Sequence, residues 1–204
     1  MAAGLEAVLV EVDSTDQMLA LYRGLERARR DGVARGLVNL VPASKTVLVE
    51  FDTFATSRYE VEQLVSGMAL STTSNEAGDV LLIEATYDGV DLRFVCETLG
   101  LARDEFVRWH SSLDWKVAFT GFAPGFGYMV AAEHRTTLPR LAQPRERVPA
   151  GSIAMAGNFT GIYPQSSPGG WRIIGRTQHR LFDVAAAPPT QMLPGRIVRF
   201  AVTK

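Results

Sequence analysis

The spacing of apolar residues in the first eighty positions predicts three strands. Residues 6–12 are rich in Val and Leu, which is typical of a buried strand. Two further apolar runs, 37–41 and 46–51, are separated by Pro-Ala-Ser-Lys, a turn-forming sequence. These two runs therefore predict a hairpin.

Two helices are predicted among these strands. Each begins with a capping box, at residues 14–17 and 57–60, where a Ser side chain accepts a backbone N–H and a Gln or Glu three residues later reaches back. Apolar residues then recur at helical spacing. We expect the first helix to end at Gly32 or Gly36 and the second near Ser71.

From residue 80 onward the chain begins with a strand and two short helices. Residues 80–85 form an apolar run, Asp91 is placed to cap a helix that Gly100 ends, and residues 104–110 predict a second helix. Short β-prone runs with Gly and Pro between them follow at residues 116–122, 152–156, 171–174 and 197–202. Many short strands joined by such turns are typical of a closed or nearly closed β-barrel.

The predicted fold class is therefore α+β, in two domains. The polar, aperiodic residues 71–78 suit a linker. We place a small α+β domain at residues 1–79 and a β-barrel domain at residues 80–204.

Composition excludes several classes of protein. Of the 204 residues, 47% are hydrophobic and 21% are charged, which indicates a globular chain with a sizeable core. A net charge of −1 gives no basic excess for nucleic acid, and no apolar run reaches membrane-spanning length. The N-terminus lacks signal-peptide features and the single cysteine, Cys96, rules out an internal disulfide, so we expect a cytoplasmic protein.

Residues 121–128, Gly-Phe-Ala-Pro-Gly-Phe-Gly-Tyr, are the densest group of glycines and aromatics in the chain. The glycines allow a backbone to approach a ligand or to take a positive φ, and the aromatics suit either a pocket or the core. A tight turn with core aromatics and a ligand-binding loop both fit this pattern. The segment is not a dinucleotide fingerprint, because no G-x-G-x-x-G opens a helix here.

Two arginines, Arg140 and Arg145, each follow a proline. An arginine can bind a carboxylate or phosphate through two parallel hydrogen bonds, and the proline restricts the backbone that presents it. An anion-binding pair and two exposed surface arginines both fit this spacing.

Nucleophilic and metal chemistry have little support in the sequence. Ser152 lies in no G-x-S-x-G elbow, and Cys96 falls on an apolar helical stripe, where a thiol is normally buried and inert. The three histidines, His110, His134 and His179, form no i, i+4 pair, so no metal site is predicted. His110 shares a helix side with two aromatics, and both a hydrogen-bonded structural role and proton transfer are open for it.

A set of ordered motifs resembles one protein family across residues 80–202. The motifs are residues 121–128, Leu138-Pro-Arg140, Pro144-Arg145, 148–152 (Val-Pro-Ala-Gly-Ser), 161–164 (Gly-Ile-Tyr-Pro), 167–171 (Ser-Pro-Gly-Gly-Trp) and 175–177 (Gly-Arg-Thr). In this order they are similar to the KipI-like family, also called the 5-oxoprolinase B subunit or allophanate hydrolase subunit 1. The first eighty residues agree with that family in the order of their elements.

The resemblance implies an N-terminal α+β domain and a C-terminal cyclophilin-like barrel. It implies a heteromer with a second subunit, of the type called the 5-oxoprolinase C subunit or allophanate hydrolase subunit 2, which a third protein joins in bacterial 5-oxoprolinase. In that enzyme ATP drives the opening of 5-oxoproline to glutamate, so ATP is the implied cofactor of the complex. The amidase machinery that splits allophanate is not in this chain.

The resemblance also implies site residues. His110, Arg140 and Arg145 fall on family motifs and are the expected catalytic residues. The arginines would hold a carboxylate or a phosphorylated intermediate, and His110 would move a proton. The expected substrate-binding residues are Tyr163, Gln165, Arg176, Gly125 and Phe126.

Two other functions stay open within this resemblance. One is inhibition of a sensor histidine kinase, which needs only a binding surface. The other is a carboxyltransferase-like role in a biotin-dependent pathway, with biotin carried by another chain. Two positions also depart from the family pattern: Arg196 follows Pro-Gly where Asp is frequent, and Ala102 precedes a helix that Ser usually caps.

Overall fold

The structure, a computed structural model, describes residues 4–70, 80–132 and 137–203. The chain divides into two compact units, Met1–Glu76 and Ala77–Lys204. The predicted linker at residues 71–78 and His134 both lie outside the described residues.

The first unit contains a three-stranded antiparallel sheet with two helices. Its elements are β1 (Ala7–Glu11), α1 (Thr15–Arg30), β2 (Leu37–Pro42), β3 (Thr46–Phe51) and α2 (Arg58–Ser66). The strands pair in the order β1-β3-β2, so the predicted hairpin of β2 and β3 is confirmed. Helix α1 packs on β2 and β3, and α2 packs on β1. Alternate residues of β3, Val47, Val49 and Phe51, are buried, as the period of a strand with one covered face requires.

The helix starts follow the predicted caps. At the second box, the Ser57 hydroxyl accepts the Glu60 N–H and the Glu60 carboxylate accepts the Ser57 N–H at 2.8 Å, which confirms it. At the first, Ser14 accepts from the Gln17 N–H at 3.2 Å, but Gln17 Oε1 accepts the Asp13 N–H at 2.9 Å, one residue before the predicted donor, so that box is confirmed only in part. Helix α2 ends at Ser66, short of the predicted Ser71, with Gly67 as its C-cap residue.

The second unit is built around a nearly closed barrel, which confirms the predicted fold class. Its elements are β4 (Val80–Ala85), α3 (Leu92–Leu99), α4 (Arg103–Ser112), β5 (Trp115–Thr120), β6 (Gly127–Val130), β7 (Arg145–Val148), β8 (Ser152–Ala156), β9 (Phe159–Ile162), β10 (Ser167–Gly169), β11 (Arg172–Arg176) and β12 (Ile197–Val202). Seven strands pair in the order β11-β8-β9-β6-β5-β12-β4, and β7 and β10 form a separate ribbon. The two edge strands meet where Thr86, just after β4, exchanges backbone hydrogen bonds of 2.9 and 2.8 Å with Arg176 of β11.

The two sides of the barrel sheet carry two different apolar clusters. On β8, Ile153 and Met155 belong to the interior cluster, to which the strands and both helices contribute. The alternate residues Ala154 and Ala156 belong to a second cluster, on the outer side of the same strand. The outer side of the sheet is therefore packed in this region, and it carries the candidate site.

None of the helices within residues 4–70, 80–132 and 137–203 combines the length and the apolar character needed to cross a membrane.

Candidate functional site

A layer of aromatic side chains covers the outer face of β6, β8 and β9. Phe126 lies at its centre, with ring centroids 5.0 Å from Tyr128, 5.4 Å from Tyr163 and 5.3 Å from Trp171. All three contacts are edge-to-face, the arrangement that the charge distribution of aromatic rings favours. Tyr128 also stacks on Phe119 at 4.4 Å. Phe126 is buried and Tyr128 is half-buried, so the layer forms a floor that borders solvent.

Two glycines allow these rings to lie close to the backbone. A Cβ atom at Gly161 would come within 2.8 Å of the Phe126 ring and 3.0 Å of the Trp171 ring. A Cβ atom at Gly169 would lie 2.3 Å from the Tyr163 hydroxyl oxygen. Carbon atoms do not approach this closely without displacing the ring, so the aromatic floor depends on glycine at both positions.

Arg140 places a positive charge beside the two tyrosines of this floor. Burial raises the pKa of Tyr128 and of Tyr163, and the charge of Arg140 opposes this by lowering both. Both hydroxyls therefore stay protonated at neutral pH and can donate a hydrogen bond. Arg140 is exposed, and it forms no ion pair with the described part of the chain. Arg140 is thus an exposed cation close enough for its charge to act on both hydroxyls.

Asp91 holds two further arginines near this layer. Its Oδ1 atom lies 2.9 Å from Arg145 Nη2 and 4.0 Å from Arg172 Nη1, and its Oδ2 atom accepts the Ile173 N–H at 2.7 Å. Arg172 also lies over the ring of Phe94, with Cζ 3.8 Å from the centroid. The prediction that the Asp91 side chain caps α3 is wrong, because the carboxylate is turned to these partners and makes no capping bond.

Arg145 has one buried donor without a partner among the described residues. Its Nη2 atom pairs with Asp91, whereas its Nη1 atom is buried and has no hydrogen-bond partner in the described ranges. Its charge also lowers the pKa of Tyr163, against the larger effect of burial. A buried donor without a partner is rare in native proteins, and an anionic group would satisfy it. We call Arg140, Arg145, Phe126, Tyr128 and Tyr163 the outer-face site.

His110 lies inside the barrel and not at the outer-face site. Its side chain is fully buried, with Nδ1 2.8 Å from the Tyr87 hydroxyl and Nε2 3.1 Å from the Thr160 hydroxyl. The ring packs against Trp115 and Phe200, with centroids 4.8 and 4.9 Å away. The structure therefore does not bring His110 together with the two arginines expected to act beside it. Of the two roles left open for it, this geometry favours the hydrogen-bonded structural one.

The other expected substrate-binding residues are spread over the second unit. Arg176, at the closure of the barrel, pairs with Asp88 at 2.9 Å. Gln165 is exposed in the turn after β9. Gly125 has a φ of +84°, and a Cβ atom there would lie 2.7 Å from the Cβ of Phe182, so it shapes the turn before β6. Of this expected set, the structure places Tyr163 and Phe126 in the outer-face site.

Three backbone N–H groups of the glycine-rich turn at residues 121–126 are already used within the turn. The N–H groups of Gly121, Ala123 and Phe126 donate to carbonyl oxygens of the same turn, so they are not directed at a ligand. The sequence also contains no Gly-Lys pair of the kind that phosphate-binding loops carry. Within the described ranges, no group of three His, Cys, Asp or Glu side chains is arranged to hold a metal ion.

Sequence reasoning missed Tyr128 as a site residue and Asp91 as the ion-pair partner of Arg145. Tyr128 ends the glycine-rich motif, but only the pleat of β6 shows that it faces outward beside Arg140. Asp91 finds its partners 54 and 82 residues further along the chain, at Arg145 and Ile173. A local pattern offers no signal for such contacts, whereas it does suggest a helix cap.

Comparison with known sequences matches this chain to a family model and to several proteins with the same name. The sequence model described as "Carboxyltransferase domain, subdomain C and D" matches residues 1–192. The 5-oxoprolinase B subunit of Escherichia coli O157:H7 is 44% identical over 116 residues, which are 57% of this chain and 53% of that protein. Its namesake in Bacillus subtilis is 31% identical over 182 residues, which are 81% of this chain and 75% of that protein. The match thus spans about half the length of the first relative.

Solved structures show the same architecture. The crystal structure of TTHA0988 aligns with a TM-score of 0.81 and 32% identity, covering 98% of this chain and 40% of that one. The urea amidolyase of K. lactis aligns with a TM-score of 0.77 and 17% identity, covering 98% of this chain and 14% of that one. The second likeness shows a shared fold alone.

Proposed function

Because this chain belongs to the family of carboxyltransferase domains of the subdomain C and D type, as its motifs suggested, we propose that it is one subunit of a 5-oxoprolinase-type complex. It would work with a second subunit, of the 5-oxoprolinase C type, and with a third protein. Its outer-face site would bind the carboxylate of 5-oxoproline while the ring is opened to glutamate. The complex would use ATP, and we assign its binding to the partner subunits because the sequence of this chain contains no Gly-Lys pair of a phosphate-binding loop.

One observation carries the proposal: unused donors converge at the outer-face site. Arg140 has no acidic partner in the described ranges, Arg145 has a buried Nη1 atom to spare, and the charges of both act on the Tyr163 hydroxyl. A hydrogen bond from a charged donor contributes about 1.5–3 kcal/mol. Binding a carboxylate at Arg140 would supply the acidic partner that the described residues do not, and a rearrangement that exposes the buried Nη1 atom would let Arg145 join it.

The proposed reaction is the hydrolysis of an amide. The oxygen of one water adds to the lactam carbonyl carbon, the C–N bond breaks, and both protons of that water pass to the nitrogen, which becomes the ammonium group of glutamate. The coupled hydrolysis of ATP by a second water, to ADP and phosphate, drives this ring opening. The carboxylate takes no part in these steps, so holding it orients the lactam for attack. The five residues of the outer-face site include no carboxylate, imidazole or thiol, so the groups that activate water would come from elsewhere in the complex.

A reconstituted assay tests this proposal. The chain is mixed with its partner subunits, ATP and 5-oxoproline, and glutamate and ADP are measured. We expect Arg140→Gln to raise the KM for 5-oxoproline about 10- to 100-fold, since it removes one charged hydrogen bond. The control is Arg93→Gln, an arginine that is 91% exposed and pairs with Glu97 on α3. Absence of turnover with every pairing would remove this substrate, and equal effects of the two variants would remove the assigned site.

The kinase-inhibitor and biotin-dependent alternatives stay predictions. The likeness to urea amidolyase, at 17% identity, concerns the fold and does not favour the second of them.

A further inference from the structure

Phe122 combines a strained backbone with an exposed aromatic ring. Its φ is +68°, and it is the one non-glycine residue with a positive φ in the described ranges. The Ala123 N–H donates to the Gly121 carbonyl oxygen at 2.8 Å, across Phe122. A bond of this span with a positive central φ marks the rarer, strained form of γ-turn. A bulky side chain in this conformation is a genuine outlier.

The surrounding contacts hold this strain in place. The Gly121 N–H donates to the Phe126 carbonyl oxygen, and the Phe126 N–H donates to the Ala123 carbonyl oxygen at 2.9 Å. Gly125, with a φ of +84°, lies so close to Phe182 that a side chain there would collide with it. Strain of this kind persists only where neighbours enforce it, and it concentrates at ligand-binding and catalytic sites.

The ring of Phe122 stands at the border of the outer-face site. Its centroid lies 5.3 Å from that of Phe126 and 6.0 Å from that of Tyr163, in edge-to-face contact with both. The residue is nevertheless 59% exposed, so the described part of the chain leaves much of it open to solvent. Folding gains little from so exposed a ring, and glycine would take the same backbone conformation without strain.

We propose that Phe122 is a substrate-contacting residue of the outer-face site. It supplies the apolar surface against which the ring of a small cyclic carboxylate lies, while Arg140 holds the carboxylate. This inference rests on the proposed function, and it adds the residue that recognises the ring.

The test compares Phe122→Gly with Phe122→Ala, in the isolated chain and in the complex. Both remove the ring, but only glycine relieves the positive φ. We expect the glycine variant to melt at a higher temperature than the alanine variant, the reverse of their order at ordinary positions. In the complex, both should raise the KM for 5-oxoproline about tenfold with assembly unchanged. The control is Val202→Ala, which shortens an apolar residue that is 54% exposed on β12. It should change neither the melting temperature of the chain nor the KM for 5-oxoproline.

A ligand lacking the carboxylate separates the two recognition elements. 2-Pyrrolidinone keeps the ring of 5-oxoproline and lacks its charge. Its binding to the complex, measured by saturation-transfer NMR, should weaken about tenfold with Phe122→Ala and stay unchanged with Arg140→Gln. This readout needs no turnover.

The outcomes distinguish this inference from the proposed function. If neither ligand binds to any complex, both fall together. If 5-oxoproline binds or is converted and Phe122→Ala leaves its affinity and KM unchanged, this inference alone is overturned. It is also overturned if the Phe122 variants prevent assembly, because the ring would then contact a partner subunit, or if the alanine variant is the more stable of the two.

Discussion

Replacing Asp91 tests a buried carboxylate that has three partners, Arg145, Arg172 and the Ile173 N–H. Asp91 could stabilise the second unit by capping α3 or by anchoring Arg145 and the Ile173 N–H, and the two roles predict different stabilities for Asp91→Ser. If its main contribution were to cap α3, serine would serve as well, because serine and aspartate are comparable caps. If it anchors Arg145 and the Ile173 N–H, serine is too short to reach either partner, and Asp91→Ser should resemble Asp91→Ala.

The size of the effect follows from the contacts. The Asp91 side chain is 9% exposed, and its loss strands the buried Ile173 N–H, which costs about 1–3 kcal/mol. It also leaves Arg145 and Arg172 without their counter-charge, and breaking a buried ion pair costs about 3–5 kcal/mol. Arg145 is partly exposed and can turn towards water, so we expect a total of about 3–5 kcal/mol for either variant.

Urea unfolding followed by tryptophan fluorescence measures this loss. All three tryptophans, Trp109, Trp115 and Trp171, lie in the second unit, so the signal reports on that unit alone. Asp91→Asn should lose less than Asp91→Ala, because its carbonyl oxygen can still accept the Ile173 N–H. A stability of Asp91→Ser within about 1 kcal/mol of the original would refute the anchoring role and restore the capping assignment.

Three more predictions follow from buried or paired groups. Burial raises the pKa of the Cys96 thiol, so a thiol reagent at pH 8 should modify the native chain much more slowly than the urea-unfolded chain, and equal rates would contradict this. Hydrogen bonds from Arg199 lower the pKa of Asp114, so the stabilisation from this pair is present above the ordinary value of about 3.9 and is lost as the pH falls through the lowered one. Arg199→Gln should return the NMR-measured pKa of Asp114 to its ordinary range and remove this part of the acid dependence; an unchanged pKa would count against the pair. His110→Ala should destabilise the second unit by about 3–5 kcal/mol, because it leaves a cavity and strands the Tyr87 and Thr160 hydroxyls. The folded fraction should keep its turnover in the complex, and an intact fold without turnover would favour proton transfer by His110.

Local signals in the sequence predicted the local structure well. The Ser57 box and the hairpin of β2 and β3 are found where they were expected. Gly100 also ends α3 with a φ of +68°, as a glycine after a helix allows. These features depend on a few adjacent residues, so a single sequence contains the information for them.

The strands of the barrel were predicted less completely. Strands β6, β7, β9 and β10 have only three or four residues each, too few for a clear alternation of apolar and polar positions. A register shift between Val117 and Phe119 in β5 also reverses the expected alternation there. The side of the sheet that each aromatic faces was therefore not readable from the sequence.

The candidate site was predicted in part for the same reason. Arg140 and Arg145 were recognised from their motifs, and the structure connects both to Tyr163 through their charges. His110 was expected beside them, but its partners, Tyr87 and Thr160, are inside the barrel. Which residues share a side of a closed sheet is set by strand register, and register depends on contacts between distant parts of the chain.

A crystal structure of the assembled complex with 5-oxoproline bound would test the central claim most directly. We expect the substrate carboxylate within hydrogen-bond distance of Arg140, on the outer face of the barrel, with the lactam ring against Phe122. Substrate bound elsewhere in the complex, with Arg140 in contact only with water, would contradict the claim.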